Sequence, residues 1–193
     1  MELFEIMQKR RSIRKYQSKE VEKEKLERIV EAGLFAPSAG GRQGTKFLVL
    51  EDRELIERIG IVNAACENRD RNVSVSAEQP SILDDKKIRS GFYGCPALVM
   101  VCIPKTGKTM VNAIGSAFTC AENMVLQAYD LGVSSVIVGR AEATFSQPEM
   151  ADLLIELGLD PEYMPIVFVC LGYIDGEYPR IKPRREGRVI FCL

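Results

Sequence analysis

Histidine is absent from all 193 residues. That absence removes Ser-His-Asp and Cys-His nucleophile pairs, imidazole general bases and most zinc catalysis in one step. An enzyme made from this sequence would leave the chemistry to a bound cofactor. The six cysteines (Cys66, Cys95, Cys102, Cys120, Cys170 and Cys192) include no CxxC pair and no spacing typical of zinc or iron-sulfur ligation. Cys102, Cys120 and Cys170 fall in apolar segments, where a free thiol packs as a small hydrophobe. No apolar run approaches the roughly 20 residues that span a bilayer. Met1 to Arg11 also lacks the apolar core of a signal peptide, so the expectation is a cytoplasmic protein without membrane contact. A surplus of either charge is missing too. With 26 Lys and Arg against 27 Asp and Glu there is no global field to gather nucleic acid, and any charge-based function must be local.

What is present suits one domain spanning 1–193, since 46% hydrophobic residues supply a sizeable core without a metal or disulfide staple. The spacing predicts a short helix around Leu3 and Met7 that runs into a basic cluster, then a stronger helix from Val21 to Phe35 stopped by Pro37. Phe47 to Leu50 reads as a strand, Arg53 to Ile59 as a helix and Pro96 to Ile103 as a buried strand. The polar stretch from Asn63 to Arg89 reads as a long loop or lid, within a variable segment of about 61–92. Ala113 to Leu131 carries too wide an apolar surface for an ordinary amphipathic helix and is expected at the centre, capped by Gly132. Val136 to Val138 follows as a strand, Pro148 to Leu157 as a helix and Ile166 to Leu171 as a second buried strand. No Gly-x-Gly-x-x-Gly follows the first strand, and the order of elements favours an α+β fold over a regular βαβ winding.

Three constellations could carry chemistry. In Arg10-Arg11-Ser12-Ile13-Arg14, residues two apart in an extended segment point the same way. Two guanidiniums and a hydroxyl can then clamp an anion, the alternative being a solvated basic helix end. Ala36-Pro37-Ser38-Ala39-Gly40-Gly41-Arg42-Gln43 is a helix stop followed by small residues that let backbone approach a ligand. Lys182-Pro183-Arg184-Arg185 is a second basic cluster near the other end of the chain, suited to phosphate or simply a basic tail. Two such clusters on a fold of balanced charge repel unless an anion sits between them.

The order of these motifs, joined by Ala121-Glu122-Asn123-Met124, Leu131-Gly132 and Leu171-Gly172-Tyr173, resembles the FMN-dependent nitroreductase family over nearly the whole chain. The resemblance implies an α+β fold with a mixed central sheet flanked by helices, a buried central helix and a C-terminal tail exchanged between two subunits. It implies a homodimer binding FMN at its interface, with NAD(P)H as co-substrate and a small electron-poor acceptor. By resemblance, Arg10 and Ser12 join Lys182 and Arg184 on the FMN phosphate, Arg11 is a further cofactor-binding residue, and Arg14 reaches the ribityl chain or the pyrimidine edge. Pro37, Ser38, Ala39, Gly41 and Gln43 match the loop lent by the partner subunit. Val138, Gly139 and Arg140 match the strand end whose backbone meets flavin N5 and O4, and Lys87 is a candidate donor to the pyrimidine ring. Gly41-Arg42-Gln43-Gly44-Thr45 departs from the family pattern, in which many relatives carry Asn and then Gln-Pro-Trp. Two further readings are a flavin-binding regulatory or storage protein with little turnover and an anion-binding module without flavin.

Overall fold

A four-stranded antiparallel sheet in the order β1-β2-β4-β3 separates two layers of helices. The computed structural model describes residues 2–69, 82–84, 86–105, 109–150 and 152–192. The strands are β1 (Lys46–Leu50), β2 (Ala97–Pro104), β3 (Ser134–Val138) and β4 (Tyr163–Gly172). The helices are α1 (Leu3–Lys9), α2 (Lys23–Leu34), α3 (Arg53–Arg69), α4 (Met110–Asp130), α5 (Ala141–Phe145) and α6 (Leu153–Glu156). β2 and β4 are central and covered on both faces, which is why they read as continuous apolar runs rather than alternating ones. Their side chains alternate between two cores. Leu98, Met100, Cys102, Phe168 and Cys170 pack toward α3 and α5, while Val99, Val101, Ile103, Val167 and Val169 pack toward α2 and α4.

The expected central helix is α4, whose Ala117, Cys120, Ala121, Met124, Val125 and Ala128 are buried. Small residues let α2 approach it closely: a Cβ on Gly33 would stand 2.3 Å from Met124 Cε. At its C-terminus Gly132 takes φ 73°, and the N–H groups of Gly132 and Val133 donate to the carbonyls of Tyr129 and Ala128. Five of the six cysteines are buried. Burial pushes the Cys102 thiol up to about 12 and that of Cys170 well above the ordinary range, in keeping with thiols used for packing.

The structure differs from the sequence expectation at four places. α3 does not stop at Ile59 but continues to Arg69, so Asn63 belongs to a helix and is fully buried rather than lying in a loop. Residues 70–81 and 85, the middle of the expected lid, lie outside the described residues. Its far end is not lid-like, because Ile82 and Phe92 are core residues. The helix expected over Pro148–Leu157 is a 3-10 turn at Pro148–Met150 followed by the single turn of α6, with α5 an extra helix before them. The parallel component of the mixed sheet is confined to a bridge between Ser12 and Ser135. The chain after Tyr178 adds no strand to the sheet among the described residues. Val189, Ile190 and Phe191 are 69%, 84% and 82% exposed.

Candidate functional site

The segment after α1 runs along the open edge of β3. The Ile13 N–H donates to Ser135 O at 3.0 Å, the Gln17 N–H to Tyr173 O at 2.8 Å and the Asp175 N–H to Lys15 O at 3.0 Å. Extended backbone alternates its side chains, so burying Ile13 in the core turns its neighbours Ser12 and Arg14 the other way. The tail is brought to the same place by Tyr178. Its hydroxyl accepts the Arg11 N–H at 3.1 Å, and its ring lies 6.1 Å from that of Tyr129 on α4. Burial raises the Tyr178 phenol above its usual range, which keeps it a neutral hydroxyl.

These two anchors close a cleft of about 310 Å³ lined by Arg10, Arg11, Ser12 and Arg14 from one end of the chain and Arg180, Lys182 and Arg184 from the other. The two basic clusters of the sequence therefore meet in space. No carboxylate among the described residues lines this cleft. Arg11 donates to the carbonyls of Gln8 and Arg10, yet its Nε and one Nη are buried without a partner among the described residues. Orphaned guanidinium donors, crowded cations and one serine hydroxyl form a donor set suited to a phosphate dianion. Cations gathered in this way repel one another until an anion joins them.

Arg14 also lines a second, larger cleft of about 660 Å³, together with Glu57, Arg89, Tyr93, Gly94 and Arg140. Its wall is the turn that ends β3. Arg140 adopts the left-handed conformation at φ 65°, uncommon for a residue with a Cβ. Two side chains hold that turn. Asn63 Nδ2 donates to Gly139 O at 3.0 Å and to Thr144 Oγ1 at 2.9 Å, and Thr144 Oγ1 donates to Arg140 O at 2.7 Å. In a trans peptide the C=O and N–H point opposite ways. Tying the Gly139 carbonyl to Asn63 thus directs the Arg140 N–H away from α3. Gly91 fits beneath this network, where a Cβ would stand 2.8 Å from Asn63 Oδ1, an atom without a hydrogen-bond partner among the described residues.

Of the residues singled out in the sequence, Arg10, Arg11, Ser12, Arg14, Lys182 and Arg184 converge, and Arg140 lines the adjoining cleft. The Val138 side chain is buried, and Gly139 contributes its carbonyl to the Asn63 network. The loop from Pro37 to Gln43 lines neither cleft. It folds on α4, where Ser116 Oγ accepts the Ala39 N–H at 3.1 Å and Thr119 Oγ1 donates to Pro37 O at 3.1 Å. Ser38 Oγ closes the loop by accepting the Gln43 N–H at 2.9 Å. Lys87 lines neither cleft. Asn63, Thr144, Arg89 and Tyr93 were missed, since only the packing of α3 against α5 and the turn after residue 90 bring them to the site.

The family model described as "Nitroreductase family" matches residues 7–173. A curated relative from Archaeoglobus fulgidus, provisionally named NADH dehydrogenase/NAD(P)H nitroreductase, is 28% identical over 179 residues, covering 91% of this chain and 87% of that protein. A crystal structure of a nitroreductase with bound FMN from Bacteroides fragilis superposes with a TM-score of 0.79 at 24% identity, covering 100% of this chain and 99% of that one. An FMN-dependent nitroreductase from Clostridium difficile gives a TM-score of 0.69 at 26% identity, covering 96% of each chain. No helix among the described residues is long and apolar enough to cross a membrane.

Proposed function

The chain belongs to the nitroreductase family, and from that premise we propose that it is an FMN-dependent oxidoreductase taking hydride from NAD(P)H and passing it to a small electron-poor acceptor such as a nitroaromatic, a quinone or an enone. One observation carries this reading: two adjoining clefts share Arg14, one whose charged lining residues are all cationic and one walled by the held turn at Arg140. The names of the similar proteins, with FMN in two and NAD(P)H in one, support the cofactor and the co-substrate.

A bound FMN supplies acceptance and release of hydride at N5, so dinucleotide and acceptor use one site in turn. Arg10, Ser12, Lys182 and Arg184, with Arg11 beside them, hold the phosphate through charge-assisted hydrogen bonds. Arg14, at the boundary of the clefts, reaches the ribityl chain or the pyrimidine edge. The backbone of Gly139 and Arg140 would hold the ring, and Asn63 and Thr144 keep those peptides oriented before anything binds. The Arg140 side chain adds a positive charge that favours electron uptake in the same cleft.

The same reading includes a single domain over 1–193 and a homodimer with FMN at its interface. Leu34, Phe35, Val111 and Phe118 leave an apolar surface on α2 and α4 exposed beside the Pro37 to Gln43 loop, which then reaches the partner's flavin. The exposed Val189, Ile190 and Phe191 are the segment that crosses over. Deletion of residues 188–193 is expected to lower both the dimer mass and the flavin content. A truncated protein that stays dimeric and fully loaded would remove the tail from the clasp.

The test of the function is a visible spectrum of the purified protein followed by anaerobic titration with NADH and NADPH. A flavin band bleached by at least one dinucleotide and restored by a nitroaromatic or quinone is expected. A band that neither dinucleotide bleaches would favour a flavin-storage or regulatory role, and a colourless protein that takes up no FMN would leave only an anion-binding module.

A further inference from the structure

The second cleft carries a surplus of positive charge among its described lining residues. Arg14, Arg89 and Arg140 line it against Glu57, the one carboxylate among its described lining residues. Arg14 is shared with the phosphate side, and Arg89 and Arg140 are the other two guanidiniums of the lining. Among the described residues Arg89 forms no ion pair, and its side chain is exposed at the mouth of the cleft. Beside it Tyr93, 37% exposed, offers an aromatic face, and Ile88 offers an apolar one. Tyr93 at φ 58° and Gly94 at φ 70° form a left-handed turn that presents this face, and Ser90 Oγ accepts the Phe92 N–H to hold its start. A flat apolar surface next to a guanidinium is the recognition chemistry of an aromatic carboxylate: the ring packs on Tyr93 and the carboxylate takes paired N–H donors from arginine.

We propose that the acceptor reduced by this protein is an anionic one, a planar electron-poor molecule bearing a carboxylate that Arg89 binds, with Arg140 adding to the positive field. This rests on the reading of the site as an FMN oxidoreductase and narrows it to a class of acceptor. The dinucleotide also carries anionic groups, so the experiment separates the two sources.

The flavin-loaded protein is titrated by calorimetry with benzoate and with benzamide, which share shape and differ in charge and which the enzyme cannot reduce. Benzoate is expected to bind roughly tenfold to a hundredfold more tightly, the effect of one charge-assisted pair. Arg89→Gln is expected to abolish the difference and Arg89→Lys to restore part of it. Equal affinities, or a preference that survives Arg89→Gln, would overturn the proposal. Stopped-flow half-reactions then identify the anion. With 4-nitrobenzoate, one hydride and one proton from solvent break an N–O bond of the nitro group and yield the nitroso compound and water, two electrons and two protons in all. Arg89→Gln is expected to slow that step by a larger factor than it slows reoxidation by nitrobenzene or reduction by NADPH. A variant impaired only toward NADPH would assign Arg89 to the dinucleotide and refute an anionic acceptor. The flavin spectrum stands apart from these arms: a protein that holds no FMN refutes the oxidoreductase reading whatever benzoate does.

Discussion

Asn63→Ala removes the amide that ties α3 to the turn at Arg140. Two hydrogen bonds are lost, to Gly139 O at 3.0 Å and to Thr144 Oγ1 at 2.9 Å. With each worth about 1 to 1.5 kcal/mol net, and the Gly139 carbonyl left short of a donor, the gross loss is roughly 2 to 4 kcal/mol. Part of it is offset, because the substitution also removes Oδ1, which is buried without a partner among the described residues; that relief is about 1 kcal/mol. The net destabilisation is then about 1 to 3 kcal/mol, a fall in Tm of about 2 to 12 °C for a chain of this size. A packing role alone would stop there. Because the same amide orients the Gly139 peptide, the variant is also expected to shift the flavin reduction potential, measured by dye equilibration on whatever fraction retains FMN. Asn63→Asp should be worse than Ala, since it sets an acceptor against Gly139 O in a fully buried position. Unchanged Tm together with an unchanged potential in Asn63→Ala would refute the reasoning.

Arg184→Ala withdraws one donor from the cationic cleft and should weaken FMN binding roughly tenfold to a hundredfold in equilibrium dialysis; unchanged affinity would take Arg184 off the phosphate. Gly172→Ala places a Cβ 2.6 Å from Pro96 Cδ and 2.8 Å from a Tyr16 ring carbon, so thermal melts should report about 1 to 3 kcal/mol of destabilisation, and a variant as stable as the parent would contradict that close packing. Hydrogen bonds from the Tyr173 hydroxyl and then from Lys19 hold the Glu22 carboxyl down to about 2. Its folded value lies below the unfolded one, so the stabilisation is present above the ordinary carboxylate range and disappears as pH falls through about 2. Tyr173→Phe should move the NMR titration of Glu22 upward, and an unmoved midpoint would show that the phenol is not the cause.

The parts of the site that could be read in advance are those written locally. Arg10 to Arg14 alternates on an extended backbone, a period that survives whatever the tertiary fold does, and Lys182 and Arg184 carry charge that has few other uses in a chain of balanced composition. The buried helix α4 declared itself through the width of its apolar surface. Asn63 was hidden because the second half of α3 mixes Asn, Cys, Glu and Arg, and its helical face makes sense only once α5 and Gly91 cover it. Arg89 and Tyr93 were hidden for a related reason. They follow a polar run that resembles a lid, and the core positions of Ile82 and Phe92 depend on contacts with distant elements rather than on a periodicity of their own. The short helix α5 escaped notice because its five residues are too few for a repeat to emerge, and the helix expected over Pro148 to Leu157 is cut down to a 3-10 turn and the single turn of α6.

The central claim is that the cleft between the two ends of the chain holds the phosphate of a flavin whose ring lies toward Arg140. Comparing the affinities of FMN and riboflavin for the flavin-stripped protein tests it most directly, because the two ligands share the ring and ribityl chain and differ in the phosphate alone. With two or more charge-assisted bonds to the phosphate, FMN should bind at least about a hundredfold more tightly than riboflavin, and the gap should narrow in high salt. Equal affinity for the two would contradict the account, as would a failure to bind either.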